Sequence, residues 1–136
     1  MEQTPVLAGQ GPVLAAVSAG GVLGALARWG VGLAWPTRLG AVPWATLTIN
    51  VVGCLLIGLL IAAVARRHRH HLLRPFLGTG VLGGFTTFSG YAVDAVRLVQ
   101  HGSAGSVAVY VGGTLLGALA ATWIGLGGPR LPTSHR

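Results

Sequence analysis

The chain has 136 residues, of which 52% are hydrophobic and 8% are charged, and its mean hydropathy is +0.71. A soluble domain carries about 25% charged residues, so this composition excludes an ordinary soluble domain and indicates a protein of the lipid bilayer. All nine basic residues are arginines, against two acids, Glu2 and Asp94, and the formal net charge is +7. In a soluble protein this balance would suggest nucleic-acid binding, but here the arginines stand mainly between hydrophobic runs, where they set topology and contact headgroups.

Four hydrophobic runs predict an all-α membrane protein. A bilayer core requires about 20 residues of helix, and the four transmembrane helices are predicted at about 13–35, 43–65, 73–98 and 104–127. The segments 1–12 and 129–136 are predicted to be flexible. Residues 13–128 therefore form one four-helix transmembrane domain.

The first two spans each contain a polar residue with two interpretations. Arg28 lies toward the end of the first span, where it would either extend to the interface beside Trp29 or attract anions at the mouth of a pore. Asn50 lies in the second span, which is otherwise apolar over most of its length. Its side chain would either form a hydrogen bond between helices or act as a donor that lines a pathway.

The third span is predicted to be broken. It holds four closely spaced glycines and then three hydroxyl side chains: Gly78, Gly80, Gly83, Gly84, Thr86, Thr87 and Ser89. Glycine is unfavourable inside a helix, and side-chain hydroxyls compete for backbone hydrogen bonds. We therefore predict a break between Gly83 and Gly90, which at membrane depth is tolerated only where the backbone is buried in protein or lines a polar cavity.

The candidate functional groups within the spans are neutral. No histidine or acid lies deep in a span, which argues against an enzyme and against a proton-coupled pump, because proton relays use such groups. Hydrogen-bond donors and aromatic rings are present instead: Asn50, Thr86, Thr87, Ser89, Tyr110, Thr114, Phe85, Phe88 and Tyr91. Donors and the positive edges of rings replace the water of a small anion without trapping it. The same rings also suit packing or lipid contact, and the threonines suit hydrogen bonding within a helix.

The arginines are distributed unevenly between the two ends of the spans. Six of them follow the second or the fourth span: Arg66, Arg67, Arg69, Arg74, Arg130 and Arg136. Arg38 and Arg97 lie at the opposite ends, and Arg28 lies near them. The positive-inside rule then predicts a multi-pass protein of the cell (plasma) membrane with both termini in the cytoplasm.

Three ordered motifs in this chain resemble those of one known family. They are GGVLGALARW at 20–29, WATLTINVVGCLLIG at 44–58 and GTGVLGGFTTFSGY at 78–91. Together with the four spans, they resemble the Fluc/CrcB fluoride channels over most of the chain. The resemblance implies an antiparallel, dual-topology-type dimer with two fluoride pores and a structural sodium ion at its centre, which is bound but not transported.

The resemblance also implies roles for individual residues. Backbone carbonyls of Gly83 and Thr86 would hold the sodium ion, and Arg28 would lie in the vestibule. The predicted fluoride pathway comprises Asn50, Phe88, Tyr91 and Tyr110, with the hydroxyls of Thr87, Ser89 and Thr114. The chain departs from the family's Phe-Ser-Thr-Phe pattern at Gly90 and Tyr91, so the second ring gains a hydroxyl and one hydroxyl of the polar track is lost.

The function expected from the sequence is a fluoride-specific channel subunit that lowers cytoplasmic fluoride by passive export. One alternative is a small multidrug-type exporter, which requires a membrane-embedded carboxylate that the first span lacks. Another is a non-conducting structural subunit of a heteromeric channel. The partner would be a second copy or a homologous chain of opposite arginine bias, because an antiparallel homodimer needs both orientations of a chain whose charges favour one.

Overall fold

The computed structural model describes residues 9–64, 71–102 and 104–128, and every regular element within them is helical. The all-α class is therefore confirmed for the described residues. In chain order the elements are α1 (Gly11–Ala34), α2 (Trp44–Val64), a π-helix (Pro75–Leu82), α3 (Gly83–Phe85), α4 (Phe88–Gln100) and α5 (Ala104–Gly125). The predicted flexible ends and the basic run at 66–71 lie largely outside the described residues. Helix α1 begins at Gly11, two residues before the predicted span, with Pro12 in its first turn, where proline is well tolerated.

Three helices of the described chain are long and apolar enough to cross a membrane. They are α1, α2 and α5, with 24, 21 and 22 residues, and each is more than about 30 Å long at 1.5 Å per residue. Many of their large apolar side chains are exposed, as expected where lipid is the solvent. The predicted third span corresponds to the shorter helices between Pro75 and Gln100, none of which reaches that length alone.

Helix α1 packs along the π-helix and α3 through glycines. Gly20 of α1 faces Gly80, Gly24 faces the backbone of Val81 and Phe85, and Gly84 faces Gly21. A Cβ atom at Gly24 would lie 2.7 Å from the amide nitrogen of Phe85, and one at Gly80 would lie 2.9 Å from the Cα of Gly20. Because neither position carries a side chain, the two backbones approach closely.

Helices α2 and α5 form the other extensive contact. Gly58 and Gly125 meet near one end, where a Cβ atom on either would lie 3.0 Å from the Cα of the other. The Thr122 hydroxyl lies 3.0 Å from the Ala118 carbonyl and 3.3 Å from that of Cys54 on α2. This contact therefore combines close backbone packing with a side-chain hydrogen bond between helices.

Two extended residues separate α3 from α4. Thr86 has φ −73° and ψ 156°, and Thr87 has φ −147° and ψ 116°. Both residues fall within the interval from Gly83 to Gly90 for which the sequence predicts a break. We refer to Thr86 and Thr87 as the interruption, and the site is built around it.

Candidate functional site

Asn50 on α2 holds the interruption in place. Its Oδ1 accepts the Thr87 N–H at 2.8 Å, and its Nδ2 donates to the Thr87 carbonyl at 3.0 Å. One side chain thus satisfies both backbone groups of a residue that has left the helix. Asn50 is only 9% exposed, and an amide NH₂ carries a second hydrogen that these two bonds leave for another acceptor.

The interruption deprives several backbone carbonyls of their helical partners, among them those of Gly83 and Thr86. In a continuous helix the Thr87 N–H would donate to the Gly83 carbonyl, and the Gly90 N–H would donate to the Thr86 carbonyl. Here the first N–H donates to Asn50, and the second donates to Thr87 Oγ1 at 2.9 Å. Gly83 and Thr86, the residues that the resemblance assigns to sodium, therefore have carbonyl oxygens of the kind that hard cations prefer as ligands.

The helix ends on either side of the interruption carry opposite partial charges. Carbonyls left without helical partners give the end of α3 a negative character, and free N–H groups give the start of α4 a positive one. Thr87 is the N-cap of α4, and its Oγ1 lies 3.3 Å from the Ser89 Oγ. A cation is therefore stabilised at one end and an anion at the other, as at interrupted helices of transport proteins.

Three aromatic rings form a row from the first residue of α4 into the protein. The ring centroids of Phe88 and Tyr91 are 5.8 Å apart, and those of Tyr91 and Tyr110 are 5.4 Å apart. Both distances lie within the range of aromatic contacts. Phe88 is 82% exposed, whereas Tyr110 is fully buried at 0%. The row therefore connects the surface of this chain with its interior.

Two hydroxyls at the inner end of this row have no hydrogen-bond partner among the described residues. They are the Tyr110 Oη, which lies near the side chains of Thr46 and Asp94 without hydrogen-bond geometry to either, and the Thr114 Oγ1, and Thr114 is only 5% exposed. The two residues are four apart on α5 and share one face of the helix. A buried hydroxyl without a partner costs about 1–3 kcal/mol. Groups of this kind normally bind water, an ion or another chain.

Arg28 reaches the interruption from α1. Its Nε donates to the Gly84 carbonyl at 3.1 Å, which places a cation at the carbonyl end of α3, where positive charge is favourable. Small-ligand sites typically measure about 300–1,000 Å³, and the groove lined by Arg28, Thr46, Thr87 and Gly90 measures about 410 Å³. Arg28 thus contributes both to the end of α3 and to a groove that reaches the interruption.

Sequence reasoning missed the hydrogen bond between Thr46 on α2 and Asp94 on α4. The Thr46 hydroxyl donates to Asp94 Oδ2 at 2.8 Å, so it ties α4 to α2. Asp94 also lies 3.7 Å from Arg97, but Arg97 is 70% exposed. The available signal was that Asp94 is the single acid near a span, because such a carboxylate requires a donor from a neighbouring helix.

The predicted site residues form a contiguous set. Asn50 contacts Thr87, which contacts Ser89, and the aromatic row links the start of α4 to Tyr110. Thr114 follows one turn later on α5. Asn50, Thr87 and Ser89 thus lie together, as do Phe88, Tyr91 and Tyr110, and their role in a fluoride pathway stays a prediction.

This fold and site define an integral membrane protein whose polar groups gather at an interrupted helix, as in proteins that pass ions across a bilayer. Residues 15–126 match the family described as CrcB-like protein, Camphor Resistance (CrcB), and the chain belongs to this family. The family expected from the sequence is thus confirmed.

Relatives in this family carry the name of an ion channel. The chain is 48% identical over 116 residues to "Fluoride-specific ion channel FluC 1" of Streptomyces coelicolor, with 85% of this chain and 75% of that protein covered. It is 51% identical over 108 residues to a FluC 2 of Streptomyces avermitilis, with 79% and 68% covered. It is 47% identical over 122 residues to a FluC 2 of Nocardia farcinica, with 89% and 87% covered. These names describe channels rather than enzymes, in agreement with the expectation that the chain is not an enzyme.

Proposed function

We propose that the chain is a subunit of a fluoride-specific channel of the plasma membrane. The channel lowers cytoplasmic fluoride by passive, electrodiffusive export and so protects the cell against fluoride toxicity. Three relatives at 47–51% identity are named as fluoride-specific ion channels. Similarity at this level over most of the chain supports the same substrate.

The observation that carries the proposal is the pair of unpartnered hydroxyls beside the aromatic row. Fluoride is small and strongly hydrated, so a pathway must offer donors in place of water. Tyr110 and Thr114 each hold an O–H that no described residue uses. The rings of Phe88 and Tyr91 add edges with partial positive charge. Donors without a full charge replace the water around fluoride without binding the ion so tightly that its passage slows.

Passive conduction is preferred to proton-coupled export. The exporter alternative requires a carboxylate that exchanges protons with the transported substrate. Asp94, the one acid in the described helices, accepts from Thr46 and lies near Arg97. This carboxylate is therefore engaged in joining α4 to α2.

The proposal includes an antiparallel dimer with a structural sodium ion at its centre. Gly83 and Thr86 supply two carbonyl ligands, whereas hard cations take about six oxygens. A partner that brings its own interruption to the same centre would add two more. Phe88, a large ring 82% exposed beside the interruption, fits a surface that the partner covers.

The orientation of the chain bears on the identity of its partner. Arg38 and Arg97 line one groove at one end of the helices, and Arg74 is the N-cap of the π-helix. With the further arginines at 66–69 and beyond residue 128, the bias favours cytoplasmic termini. We therefore propose that the partner is a homologous chain whose arginines have the opposite bias, and the homodimer is the alternative.

Fluoride efflux from liposomes tests the proposed function. The chain is reconstituted alone and with a homologous chain from the same organism, and efflux is followed with a fluoride electrode under a potassium ionophore. We expect electrogenic efflux in at least one preparation. Efflux only with the homologue would indicate a heteromer, and no efflux in either would refute the channel.

The variant Phe88→Ile tests the pathway itself. We expect it to slow efflux by about tenfold or more, equivalent to about 1.4 kcal/mol in the barrier, while the dimer still elutes at its normal size. Phe76→Ile in the π-helix is the matched control, with efflux unchanged. Equal efflux by the two variants would mean that Phe88 serves packing only.

Topology reporters fused to the C-terminus test the orientation. We expect a signal from the cytoplasmic side alone. Equal cytoplasmic and external populations would exclude the proposed fixed topology and favour the homodimer.

A further inference from the structure

A groove between α2 and the π-helix lies apart from the interruption and takes no part in the proposed pathway. Its volume is about 250 Å³. It is located where α2 ends and the π-helix begins, and the basic run at 66–71 lies between these two elements in the sequence. One wall of the groove is hydrocarbon, and the other ends in polar donors.

The apolar wall follows one face of α2. Ile57, Ile61 and Val64 recur at helical spacing along the groove and extend over about 10 Å. Leu60 completes the wall, and Gly78 stands opposite, where a Cβ atom would lie 3.4 Å from the Leu60 Cδ2. A Cβ atom at position 78 would already contact Leu60, so a larger side chain there would enter the groove.

The polar wall owes its arrangement to the π-helix. Arg74 and Thr79 both line the groove although they are five positions apart. In a π-helix the hydrogen bonds join residues five apart, so such residues lie on one face. Both side chains are exposed, and neither takes part in a hydrogen bond or ion pair with another described residue. A guanidinium and a hydroxyl at one end of an apolar groove are suitable donors for a phosphate.

We propose that this groove binds one anionic phospholipid, with its phosphate at Arg74 and Thr79 and one acyl chain along α2. Charge complementarity identifies this occupant. Residues 57–93 contain four arginines and no acid, and each arginine near a membrane surface attracts anionic lipid by about 1 kcal/mol. A second copy of this chain is itself positively charged, with a formal net charge of +7, so it would not neutralise Arg74 as the phosphate of a lipid does.

Native mass spectrometry of the detergent-purified protein tests the site. Phosphatidylglycerol is titrated against phosphatidylcholine with the same acyl chains. We expect one phosphatidylglycerol per chain, bound about fivefold more tightly than phosphatidylcholine. Equal affinity for the two lipids would overturn the proposal.

Three variants distinguish the contribution of the Arg74 charge from that of the groove's shape. Each variant is compared only after it elutes at the size of the unmodified protein. Arg74→Gln should weaken phosphatidylglycerol binding about tenfold, whereas Arg38→Gln, which removes the same charge elsewhere, should change it less than about twofold. Gly78→Leu fills the groove without a charge change and should weaken both lipids. If it does not fold, Thr79→Val serves instead, with an expected loss of about threefold. Equal losses for Arg74→Gln and Arg38→Gln would show non-specific attraction and refute the site.

Thiol labelling distinguishes a lipid from a second copy. Thr79→Cys is introduced into a Cys54→Ala background and treated with a soluble maleimide. We expect rapid labelling of the lipid-free protein and at least about fivefold slower labelling with bound phosphatidylglycerol. A thiol that stays unreactive in the lipid-free dimer would mean that a second copy covers the groove, and the lipid proposal would fail.

Discussion

The two sides of the interruption are held in different ways. Before it, residues 75–85 pack on α1 through backbone contacts between glycines, such as Gly80 against Gly20. After it, α4 is tied to α2 by the hydrogen bond from Thr46 to Asp94. Asn50 secures the junction between the two sides.

From this difference we infer that the side before the interruption maintains the structure and the side after it carries the function. Backbones in close contact leave no room for a ligand and gain their stability from van der Waals packing, which drives helix association in lipid. Side chains joined by hydrogen bonds leave polar groups at hand, and Tyr110 and Thr114 are two that no described residue uses. We therefore expect changes on the first side to destroy the fold and changes on the second to alter conduction.

Replacing Gly24 with leucine should have the largest effect. A Cβ atom there would lie 2.7 Å from the backbone nitrogen of Phe85, so α1 and α3 must separate at a cost of about 3 kcal/mol or more. We expect Gly24→Leu to aggregate in size-exclusion chromatography. Gly30→Leu on the same helix is the control, because nothing lies within 4 Å of a Cβ atom there. Normal elution of both variants would show that the glycine contact is dispensable.

The junction should give the next largest effect. Asn50→Leu leaves the N–H and carbonyl of Thr87 without their partners, which costs about 2–3 kcal/mol. We expect a lower unfolding temperature and fluoride efflux at least about tenfold slower, since the interruption loses its support. Thr48→Val, two residues away and without a hydrogen bond to any described residue, should change neither. A stable Asn50→Leu with full efflux would contradict the assigned role.

On the side after the interruption, two double-mutant cycles at Asp94 compare the strengths of two interactions that hold α4. The bond from Thr46 should show a coupling of about 1.5 kcal/mol, because its acceptor is charged and only 18% exposed. The pair with Arg97 should show less than about 0.5 kcal/mol, because Arg97 is 70% exposed. Unfolding in denaturing detergent, with Asp94→Ala as the common variant, measures both. A larger coupling for Arg97 would reverse the assignment of what holds α4.

The glycine pairs show how far the sequence predicts the fold. Gly20 with Gly24 and Gly80 with Gly84 have GxxxG spacing, and all four lie in the contact between α1 and residues 75–85, where Gly20 meets Gly80 but Gly84 meets Gly21. Gly113 and Gly117 have the same spacing but face the side chains of Leu47 and Val51. The spacing alone does not identify the partner, because the contact depends on which helix faces that side.

The interruption shows the same limit for the candidate site. Glycines followed by hydroxyl residues predict where the helix is weak, but its geometry depends on Asn50, which is 37 positions from Thr87. The bond from Thr46 to Asp94 spans 48 positions. The π-helix has no distinct pattern, because its residues would suit an α-helix as well. Local chemistry was predictable, and the pairings between distant residues were not.

Removal of the Tyr110 hydroxyl should have a small effect on stability, and the sign of this effect is informative. Tyr110→Phe deletes a buried group without a partner, so we expect unfolding to require about 1 kcal/mol more. Efflux should nevertheless fall about tenfold, because the pathway loses a donor. Unfolding temperature and liposome efflux are measured on the same preparation.

Thr122→Val is the matched control, since it deletes a hydroxyl that donates to backbone carbonyls on α5 and α2. It should lose about 0.6 kcal/mol of stability with efflux unchanged. Two hydroxyls on one helix would then have opposite effects, one maintaining structure and the other conduction. If Tyr110→Phe instead lowers stability and leaves efflux intact, its hydroxyl has a structural partner, and the pathway does not pass along this face of α5.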